Sequence, residues 1–447
     1  MASDQLPEGW RLVKLSDLGE VNRGRSRHRP RYAEHLYGGP YPFIQTGDVK
    51  NSGGRISSYE QTYSEAGLAQ SRLWPAGTMC ITIAANIAET AILTFPACFP
   101  DSVVGFIADE SKCDVRYIEY TFRVLRARLQ HEASGSVQDN INLDTLERLR
   151  FKLPSLAEQR EVVYILSALD DKIELNLRMN ETLEAMARAL FKSWFVDFDP
   201  VRAKAEGRSF VLPQEIARYV PETFEETELG LVPNGWCVVS VGELCSRVAM
   251  GPFGSDIKTD NFVEAGVPVV RGSNLVDGFV EEAFVFLTEQ KADELRNANA
   301  FPGNIVITHR GTLGQVGLIP IGSRFPRYVV SQSQMLLAVD MAVATPRYLY
   351  EFLRSAFGQH SLLANTSQTG VPAIARPTTS VKAIRIVKPP IEVLRGFDKV
   401  VDPLYTRRDH CVSESRTLAN LRDTLLPKLI SGALRVKAAE KIVEAVA

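Results

Sequence analysis

The sequence lacks the short motifs by which most enzyme classes are identified. It contains no Walker A loop, no G-x-S-x-G elbow, no G-x-G-x-x-G loop and no Asn- or Asp-Pro-Pro-aromatic motif of the amino-methyltransferase kind. The six histidines are scattered and form no H-E-x-x-H pair, which argues against a zinc site. We therefore predict that the chain has no catalytic residues, binds no metal and holds no cofactor of its own.

Long apolar runs, paired cysteines and an excess of positive charge are also missing. No stretch approaches about 18 consecutive apolar residues, and the first residues do not resemble a secretory signal, so we expect a cytoplasmic protein without a membrane span. No two of the six cysteines form a C-x-x-C pair, which favours reduced thiols. With 51 Lys and Arg against 53 Asp and Glu in 447 residues, the net charge of −2 gives no general indication of nucleic-acid binding.

What the sequence does contain is an internal repeat. Residues 6–10 (LPEGW) recur as residues 232–236 (VPNGW) at an offset of 226, and the offset has grown to 235 where residues 149–154 (LRFKLP) recur as residues 384–389 (IRIVKP). Insertions in surface loops produce such a drift. The chain is therefore predicted to be two copies of one unit of about 230 residues.

Each copy divides into two parts. The first part contains short β-branched runs, such as residues 79–83 and 305–307, with short helical stretches between them, which predicts an α+β globule of about 150 residues. The second part, residues 155–194 in the first copy, contains no proline or glycine. Its apolar residues step by four and three, which is the heptad pattern of a long coiled-coil helix.

The heptad pattern predicts an apolar seam on each of two long helices. Because a heptad helix cannot bury its seam alone, we expect the two to pair antiparallel within the chain, with Asn176 and Asn180 facing Arg408 and Ser415. Packing on the globules or on another chain is the alternative. Asp402 and Pro403 predict a kink or a helix start inside the second stretch. The predicted seam comprises Val162, Leu166, Leu169, Ile173, Asn176, Asn180, Leu183, Leu190 and Trp194 in the first copy, and Phe397, Val401, Leu404, Leu418, Leu421, Leu425 and Leu429 in the second.

The predicted fold class is therefore α+β. It has two tandem α/β domains separated by two long helices, which form an antiparallel intramolecular coiled coil with pseudo-twofold symmetry. The predicted boundaries are residues 1–153 for the first domain, 154–198 for the central helix, 199–230 for a linker, 231–388 for the second domain, 389–436 for the C-terminal helix and 437–447 for a tail.

An alternating run of arginines stands out in the first copy: Arg23, Arg25, Arg27, Arg29 and Arg31. Such a run can neutralise phosphates, and a single arginine can bind a guanine edge through two hydrogen bonds. A solvated basic loop is the alternative. Two globules held at a fixed distance also suit a target in two parts, such as DNA half-sites.

Polar clusters in other predicted loops extend this hypothesis to both copies. Glutamine and asparagine pair with adenine edges, and glycine lets a backbone approach closely, although an ordinary turn is the alternative for each cluster. The other candidate DNA-binding residues are Gln45, Thr46, Asn86, Gln138, Asn140, Gly254, Ser255, Lys258, Arg271, Asn274, His309, Arg310, Thr312, Gln332, Gln334 and Gln368.

Five segments resemble one protein family. Residues 190–201 (LFKSWFVDFDPV) resemble the central region of the specificity subunits of Type I restriction–modification enzymes, and residues 421–432 (LRDTLLPKLISG) resemble their C-terminal region. Residues 153–159 (LPSLAEQ) are similar to the junction that follows a recognition domain in that family. Residues 233–236 (PNGW) and 251–255 (GPFGS) resemble the start of such a domain.

The resemblance implies a non-catalytic subunit whose two target-recognition domains each read one half of a bipartite, asymmetric site in double-stranded DNA. The coiled coil would set the spacer and dock two modification subunits, which carry the adenine methyltransferase chemistry. Restriction subunits would add an ATP-dependent endonuclease, so S-adenosylmethionine, ATP and Mg²⁺ are expected in the partner subunits. Two other interpretations stay open, a duplicated scaffold that binds only proteins and a stand-alone enzyme such as a fused methyltransferase or nuclease.

Overall fold

The computed structural model of the chain describes residues 6–27, 30, 32–134, 141–210, 212–252, 254, 256–276, 278–367 and 370–444. Within the described ranges none of the helices is long and apolar enough to cross a bilayer. The strands are β1 Arg11–Val13, β2 Gly19–Arg23, β3 Tyr37–Phe43, β4 Arg55–Ile56, β5 Gln61–Tyr63, β6 Met79–Thr82, β7 Thr90–Leu93, β8 Val103–Ala108, β9 Phe151–Leu153, β10 Phe224–Thr227, β11 Gly230–Pro233, β12 Cys237–Ser240, β13 Cys245–Met250, β14 Phe262–Val263, β15 Val267–Val270, β16 Val285–Leu287, β17 Asn299–Ala300, β18 Ile305–Thr308, β19 Val316–Leu318, β20 Tyr328–Val330, β21 Gln334–Val339, β22 Thr366–Ser367, β23 Ala373–Ile374 and β24 Arg385–Lys388.

Two of the helices are far longer than the others. The α-helices are α1 Thr46–Asn51, α2 Glu65–Ala69, α3 Val115–Ser134, α4 Leu143–Arg148, α5 Leu156–Phe195, α6 Asp199–Ala205, α7 Gln214–Ala217, α8 Glu289–Glu294, α9 Pro346–Arg354, α10 Ala356–Leu363, α11 Pro377–Ala383, α12 Ile391–Ser431 and α13 Val436–Glu444. Short 3-10 helices lie at Leu15–Asp17, Glu34–Leu36, Val241–Leu244, Thr259–Asn261, Gly272–Asn274 and Arg296–Ala298.

The chain forms two compact units. The first comprises Met1–Leu177 and Val412–Ala447, and the second comprises Arg178–Cys411. The division falls inside α5 and α12, so each unit contains one half of each long helix. The core of each unit is therefore assembled from segments that are distant in sequence.

The first unit is built on a sheet with the strand order β2-β8-β6-β7-β4. β6 is buried along its whole length, and its antiparallel register places Met79 opposite Phe106 on β8 and Ile92 on β7. The ends of the globule meet in a second, two-stranded sheet, in which Arg11 of β1 lies opposite Leu153 of β9.

The second unit repeats this construction. Its sheet has the order β13-β21-β18-β19, and Ile305 of β18 lies opposite Leu337 and Leu318. Ile305 and Leu318 follow their counterparts Met79 and Ile92 by 226 residues, and Leu337 follows Phe106 by 231. The strand register therefore repeats with the offsets of the sequence repeat. The middles of the two copies differ, because the second unit adds a five-stranded sheet, β14-β16-β15-β20-β17, where the first has the pair β3-β5.

The predicted seam residues of α5 and α12 are all buried or half-buried. In the first unit Val162, Leu166 and Leu169 share a core cluster with Leu425 and Leu429. This core also contains side chains of the main sheet and of α3, so the two long helices close the unit as well as pack against each other.

The contacts along α5 and α12 show the direction of the pairing. In the first unit Asn176 donates a hydrogen bond to Glu414 at 2.8 Å. In the second unit Met179 lies 3.6 Å from Cys411 (Sδ to Sγ), and the ring of Trp194 packs on Phe397. Numbers rise along α5 as they fall along α12, so in each unit the helix halves run antiparallel.

Three details of the predicted helices need correction. The polar partners differ from those expected, because Asn176 contacts Glu414, the neighbour of Ser415, and Arg408 contacts Glu184, one turn from Asn180. The arginine and the amide each bind a carboxylate, because a carboxylate is a stronger hydrogen-bond acceptor than a hydroxyl or a second amide. A helix start at Pro403 is also wrong, since α12 begins at Ile391 and continues to Ser431. The buried side chains of Val401 and Tyr405 anchor the helix on either side of this proline.

The segments expected to be a linker and a tail are folded. Residues 199–230 form α6, α7 and part of the hairpin β10-β11, and Val201, Ile216 and Val220 are buried in the core of the second unit. Ile216 packs so closely on Gly396 that a Cβ there would lie 2.5 Å from Ile216 Cγ2. The described part of the tail, residues 437–444, belongs to the helix α13, which buries Ala439 in the first unit. Prolines and charges made these segments resemble linkers, yet a few apolar side chains are enough to anchor them.

A tyrosine–carboxylate hydrogen bond joins each globule to a long helix, and its two partners are exchanged between the units. In the first unit Tyr120 of α3 donates to Asp170 of α5 at 2.8 Å. In the second, Tyr405 of α12 donates to Glu351 of α9. Glu351 is the repeat counterpart of Tyr120 at the offset of 231, and Tyr405 is the counterpart of Asp170 at 235.

This exchange predicts a rescue experiment in the second unit. Glu351→Tyr alone leaves two tyrosines together, and Tyr405→Asp alone leaves two buried carboxylates together, so each should lower the free energy of unfolding, the second by about 3 kcal/mol or more. The double variant recreates the arrangement of Tyr120 and Asp170 and should recover most of the loss. Thermal unfolding of the four proteins measures this, and a double variant less stable than both single variants would contradict the equivalence.

Glu351 also predicts a pH dependence of stability. Burial raises the pKa of Glu351 to about 7 from its ordinary value of 4.5. Between these values the carboxyl is protonated when folded and ionised when unfolded, so its contribution to the free energy of unfolding is full below pH 4.5 and is lost as the pH rises to 7. Glu351→Gln should remove this dependence and, relative to the wild type, gain up to ~3 kcal/mol of stability between pH 5 and pH 8. Urea unfolding at both pH values tests it, and an equal difference at both would contradict the account.

Candidate nucleic-acid interface

Several candidate residues lie on one loop in each unit, the connection between two neighbouring antiparallel strands of the main sheet. In the first unit this loop, residues 83–89, joins β6 to β7 and carries Asn86. In the second unit residues 309–315 join β18 to β19 and carry His309, Arg310 and Thr312. Asn86 and Thr312 occupy the same place in the repeat, at the offset of 226.

The backbone of both loops has the same unusual conformation. Ala85 and Ala88 have positive φ values of 63° and 60°, and their counterparts Gly311 and Gly314 have values of 95° and 85°. An alanine in the left-handed region costs about 1 kcal/mol, and strain of this kind persists where the surrounding structure imposes it, often at functional sites. The two units thus share the positive φ angles of this loop, although the loop of the first unit has no glycine that would relieve the backbone strain.

A later segment of each unit holds the loop at its base through an equivalent hydrogen bond. The N–H of Ile141 donates to the carbonyl of Ile83 at 3.2 Å, and the N–H of Ile374 donates to the carbonyl of His309 at 2.9 Å. Each loop is therefore held at its base by a backbone hydrogen bond from a segment close to its own globule's end.

In the second unit a chain of polar side chains supports the loop from inside. Gln334 donates to Thr308 at 3.2 Å, Thr308 donates to Gln315 at 2.9 Å, and Gln315 donates to the carbonyl of Gly272 at 3.1 Å. Gln334 is only 1% exposed. Of the predicted DNA-binding residues, Gln334 thus faces the interior in this structure and stabilises the frame of the loop.

Two further candidates are also turned inward. Asn274 is buried, accepts the N–H of Arg271 at 3.0 Å and donates to the carbonyl of Glu282 at 2.7 Å. His309 is buried and lies 3.1 Å from the carbonyl of Gln332 through Nε2. Burial lowers the pKa of His309, which favours its neutral form near pH 7.

Other candidates in the second unit have side chains at the surface. Arg310, Thr312, Gln332 and Lys258 are exposed, and Gly254 lies at the surface beside Gln332. Half-buried Arg271 donates to the carbonyl of Ala283 at 2.8 Å, so its guanidinium is partly engaged within the unit. The second loop thus presents one cation, Arg310, and one hydroxyl group, that of Thr312, outward from a rigid base.

The first unit presents a different set. Arg23, Arg25 and Arg27 are exposed, and among the residues that the structure describes none of the three forms an ion pair. Their backbone is fixed, since Arg25 donates its N–H to the carbonyl of Phe99 at 3.1 Å. Three charges on a fixed backbone suit contacts with phosphates.

Gln45 and Thr46 lie at the start of α1, a helix that packs on β6 and β7, the strands joined by the loop of Asn86. Half-buried Gln45 precedes α1 and donates to Gln61 at 2.7 Å, and Thr46 begins that helix. Sequence reasoning missed Lys50 on α1, whose ammonium donates to Asn86 at 3.3 Å. The position of this lysine, one helical turn beyond Thr46, is the sequence signal that could have identified it as a candidate. Six further candidates lie outside the described residues: Arg29, Arg31, Gln138, Asn140, Ser255 and Gln368.

A cleft adjoins the loop in each unit. The cleft of the first unit, about 560 Å³, is lined by Lys50, Glu89, Arg123 and Arg126 among others. That of the second unit, about 360 Å³, is lined by Leu275, Gln315 and Arg354. Several lining residues occupy equivalent positions in the repeat, including Arg123 and Arg354, so both units have the cleft. The charged side chains that line the two clefts differ. Among the described residues no group of three His, Cys, Asp or Glu side chains is arranged to hold a metal ion.

Comparisons with known proteins agree with this architecture. Residues 7–185 match the family model of the Type I restriction modification DNA specificity domain. The MjaIX specificity subunit of a Type I restriction enzyme from Methanocaldococcus jannaschii is 26% identical over 97% of this chain and 95% of its own length. The HindI specificity subunit from Haemophilus influenzae is 27% identical over 67% of this chain and 72% of its own.

A solved structure has a similar fold. The crystal structure of the S subunit of a Type I restriction–modification system from M. genitalium covers 96% of this chain and 97% of its own, with a TM-score of 0.54 and 14% identity. With the duplicated sheets and the two long helices, these matches make the chain similar to the specificity subunits of Type I restriction–modification systems over nearly its whole length.

Proposed function

We propose that the protein is the DNA-recognition subunit of a Type I restriction–modification complex, and that each unit reads one half of a bipartite, asymmetric site. One observation carries the proposal. The same strained loop on the same strand register is built twice, and it presents different side chains, Asn86 in one unit and Arg310 and Thr312 in the other. A common frame with different exposed groups is what two different half-sites require.

The two recognition domains of this proposal are residues 1–153 and 231–388. The long helices, with residues 154–198 and 389–436 as their predicted limits, would pair as an antiparallel coiled coil and set the length of the unread spacer. Polar residues in an apolar seam fix the register of paired helices, and the bond from Asn176 to Glu414 supports this role in the first unit.

The partners follow from the same proposal. Two modification subunits would bring S-adenosylmethionine and adenine methylation, and restriction subunits would bring ATP, Mg²⁺ and endonuclease activity, in the cytoplasm. In the first unit α5 leaves Tyr164, Leu175 and Leu177 more than half exposed, and Tyr164 and Leu175 lie about three turns apart on one face of the helix. Exposed apolar side chains on a long helix support a protein–protein contact there. The chain itself would supply recognition and no catalytic group.

The exposed arginines of the first unit predict a change in salt dependence. In the complex with the modification subunits, Arg23→Ala, Arg25→Ala and Arg27→Ala should each weaken DNA binding, and each lost phosphate contact should lower the slope of log affinity against log salt by about 1. Arg208→Ala is the control, because Arg208 is exposed but paired with Glu206. Binding titrations at several salt concentrations measure the slope. A slope as steep as that of the wild type in the triple variant would contradict phosphate contact by this run.

The loops predict that each half-site can be relaxed separately. Sequencing of methylated adenines in DNA from cells that express the complex identifies the wild-type site. Asn86→Ala should then relax the base preference in one half only, and Thr312→Ala in the other half only, with a loss of discrimination of about 1–3 kcal/mol at the affected base pair. Relaxation of both halves by one substitution would contradict independent reading, and a single contiguous site would contradict the proposed function.

A further inference from the structure

Each unit contains a buried ion cluster that joins one globule helix to both long helices. In the first unit Arg123 of α3 and Arg422 of α12 bind the two oxygens of Asp170 on α5, at 3.1 and 2.8 Å. In the second unit Arg354 of α9 and Arg408 of α12 bind the two oxygens of Glu184 on α5, at 2.9 and 3.4 Å. We call these clusters, Arg123–Asp170–Arg422 and Arg354–Glu184–Arg408, the junction triads.

The arginine is the repeated element of the junction triads. Arg354 follows Arg123 by 231 residues, the offset of the neighbouring strand β21 from β8. The carboxylates are not counterparts, because the residue that corresponds to Asp170 is Tyr405. The two units thus bind equivalent arginines through carboxylates that occupy unrelated positions in the repeat. What is common to them is the link from the globule to the helix pair, not a particular residue pair inherited from one ancestral unit.

Stability alone does not account for the junction triads. Their side chains are 12–21% exposed, so each charge has lost most of its water. A buried ion cluster is often no more stable than apolar side chains of similar size, because removing charges from water offsets their attraction. Arginine–carboxylate hydrogen bonds are, however, directional, so they fix an angle in a way that apolar contacts do not.

The triad arginines also adjoin the candidate DNA-binding loops. Arg123 donates to the carbonyl of Gly53 at 3.2 Å, beside α1 and Lys50. It lines the same cleft as Lys50, and Arg354 lines the corresponding cleft with Gln315 of the second loop. Each arginine therefore bridges the loop region of its unit and the halves of the long helices in that unit.

We propose that Arg123 and Arg354 are positioning residues that fix the angle at which each unit presents its loop on its own helix halves, and so determine how strictly the complex discriminates spacer length. This inference rests on the proposed function. Without these directional hydrogen bonds only apolar contacts hold the globule on the helix halves, so its angle varies. The complex then also binds half-sites whose spacer is one base pair longer or shorter.

The test uses the full chain assembled with its modification subunits. Its probes are duplexes that carry the mapped site with the native spacer, or with one base pair added or removed. Arg354→Met and Arg123→Met keep an unbranched, flexible side chain, shorter than that of arginine, and remove the charge and the hydrogen-bond donors. Each should lower the affinity ratio between native and altered spacers at least tenfold, and Arg354→Lys should restore part of the ratio because it keeps a charge but not the fork of donors.

Two further variants make the result decisive. The triple variant Arg354→Met, Glu184→Met and Arg408→Leu leaves no charge of the triad itself, and Asp409, the other partner of Arg408, has a side chain 45% exposed and stays in water. The variant should therefore stay folded by thermal unfolding and still lose spacer discrimination. The control is Lys399→Met with Glu215→Met, which removes an ion pair of the same unit whose side chains are 66% and 73% exposed, and it should keep the wild-type ratio.

The outcomes separate the two claims. A folded triple variant with the wild-type ratio overturns the role of the triads. A wild-type complex whose affinity does not depend on spacer length overturns the two-part site, and with it the proposed function, whatever the variants do.

Discussion

The fold depends on the need of two long helices to bury their apolar seams. Neither α5 nor α12 can be stable alone in water, because each carries a heptad row of large side chains along some 40 residues. Pairing satisfies both seams. It also brings Leu425 and Leu429, at the end of the chain, into the core that contains the sheet near its beginning. Each unit is thus completed by sequence from both copies of the repeat, and the helices that pair are the same helices that carry the globules.

On this base the two units combine a common frame with different exposed side chains. The strand register, the positive φ angles of the loop and the arginine of the junction triad recur at the offsets of the repeat. The exposed side chains do not recur, and neither does the second sheet. Recognition can therefore change in one unit by altering surface residues, while the buried framework and the junction to the helices stay as they are. Under the proposed function, this division would let a duplicated chain read an asymmetric target.

Much of this could be predicted from sequence, for identifiable reasons. The repeat was visible because turns and buried strands restrict residue type, as in the recurrence of LPEGW as VPNGW, and the seam was visible because a helix periodicity spans some 40 residues. The fold of residues 199–230 could not be predicted, because the few apolar side chains that anchor it, such as Ile216, do not form a periodic pattern. The inward direction of Gln334 and Asn274 was equally hidden, because a polar side chain in a loop can support the loop or face a ligand. The junction triads join residues hundreds of positions apart, and charge spacing along one helix does not reveal them.

The near-neutral charge of the chain is an average over the whole sequence, in which exposed cations such as Arg23, Arg25 and Arg310 are balanced by the many acids of the helices. The central claim is that two separate units read two separate half-sites. Footprinting of the assembled methyltransferase on its mapped site tests it most directly. Two protected stretches separated by an unprotected spacer are predicted, and one continuous protected stretch with bases read throughout would contradict the account.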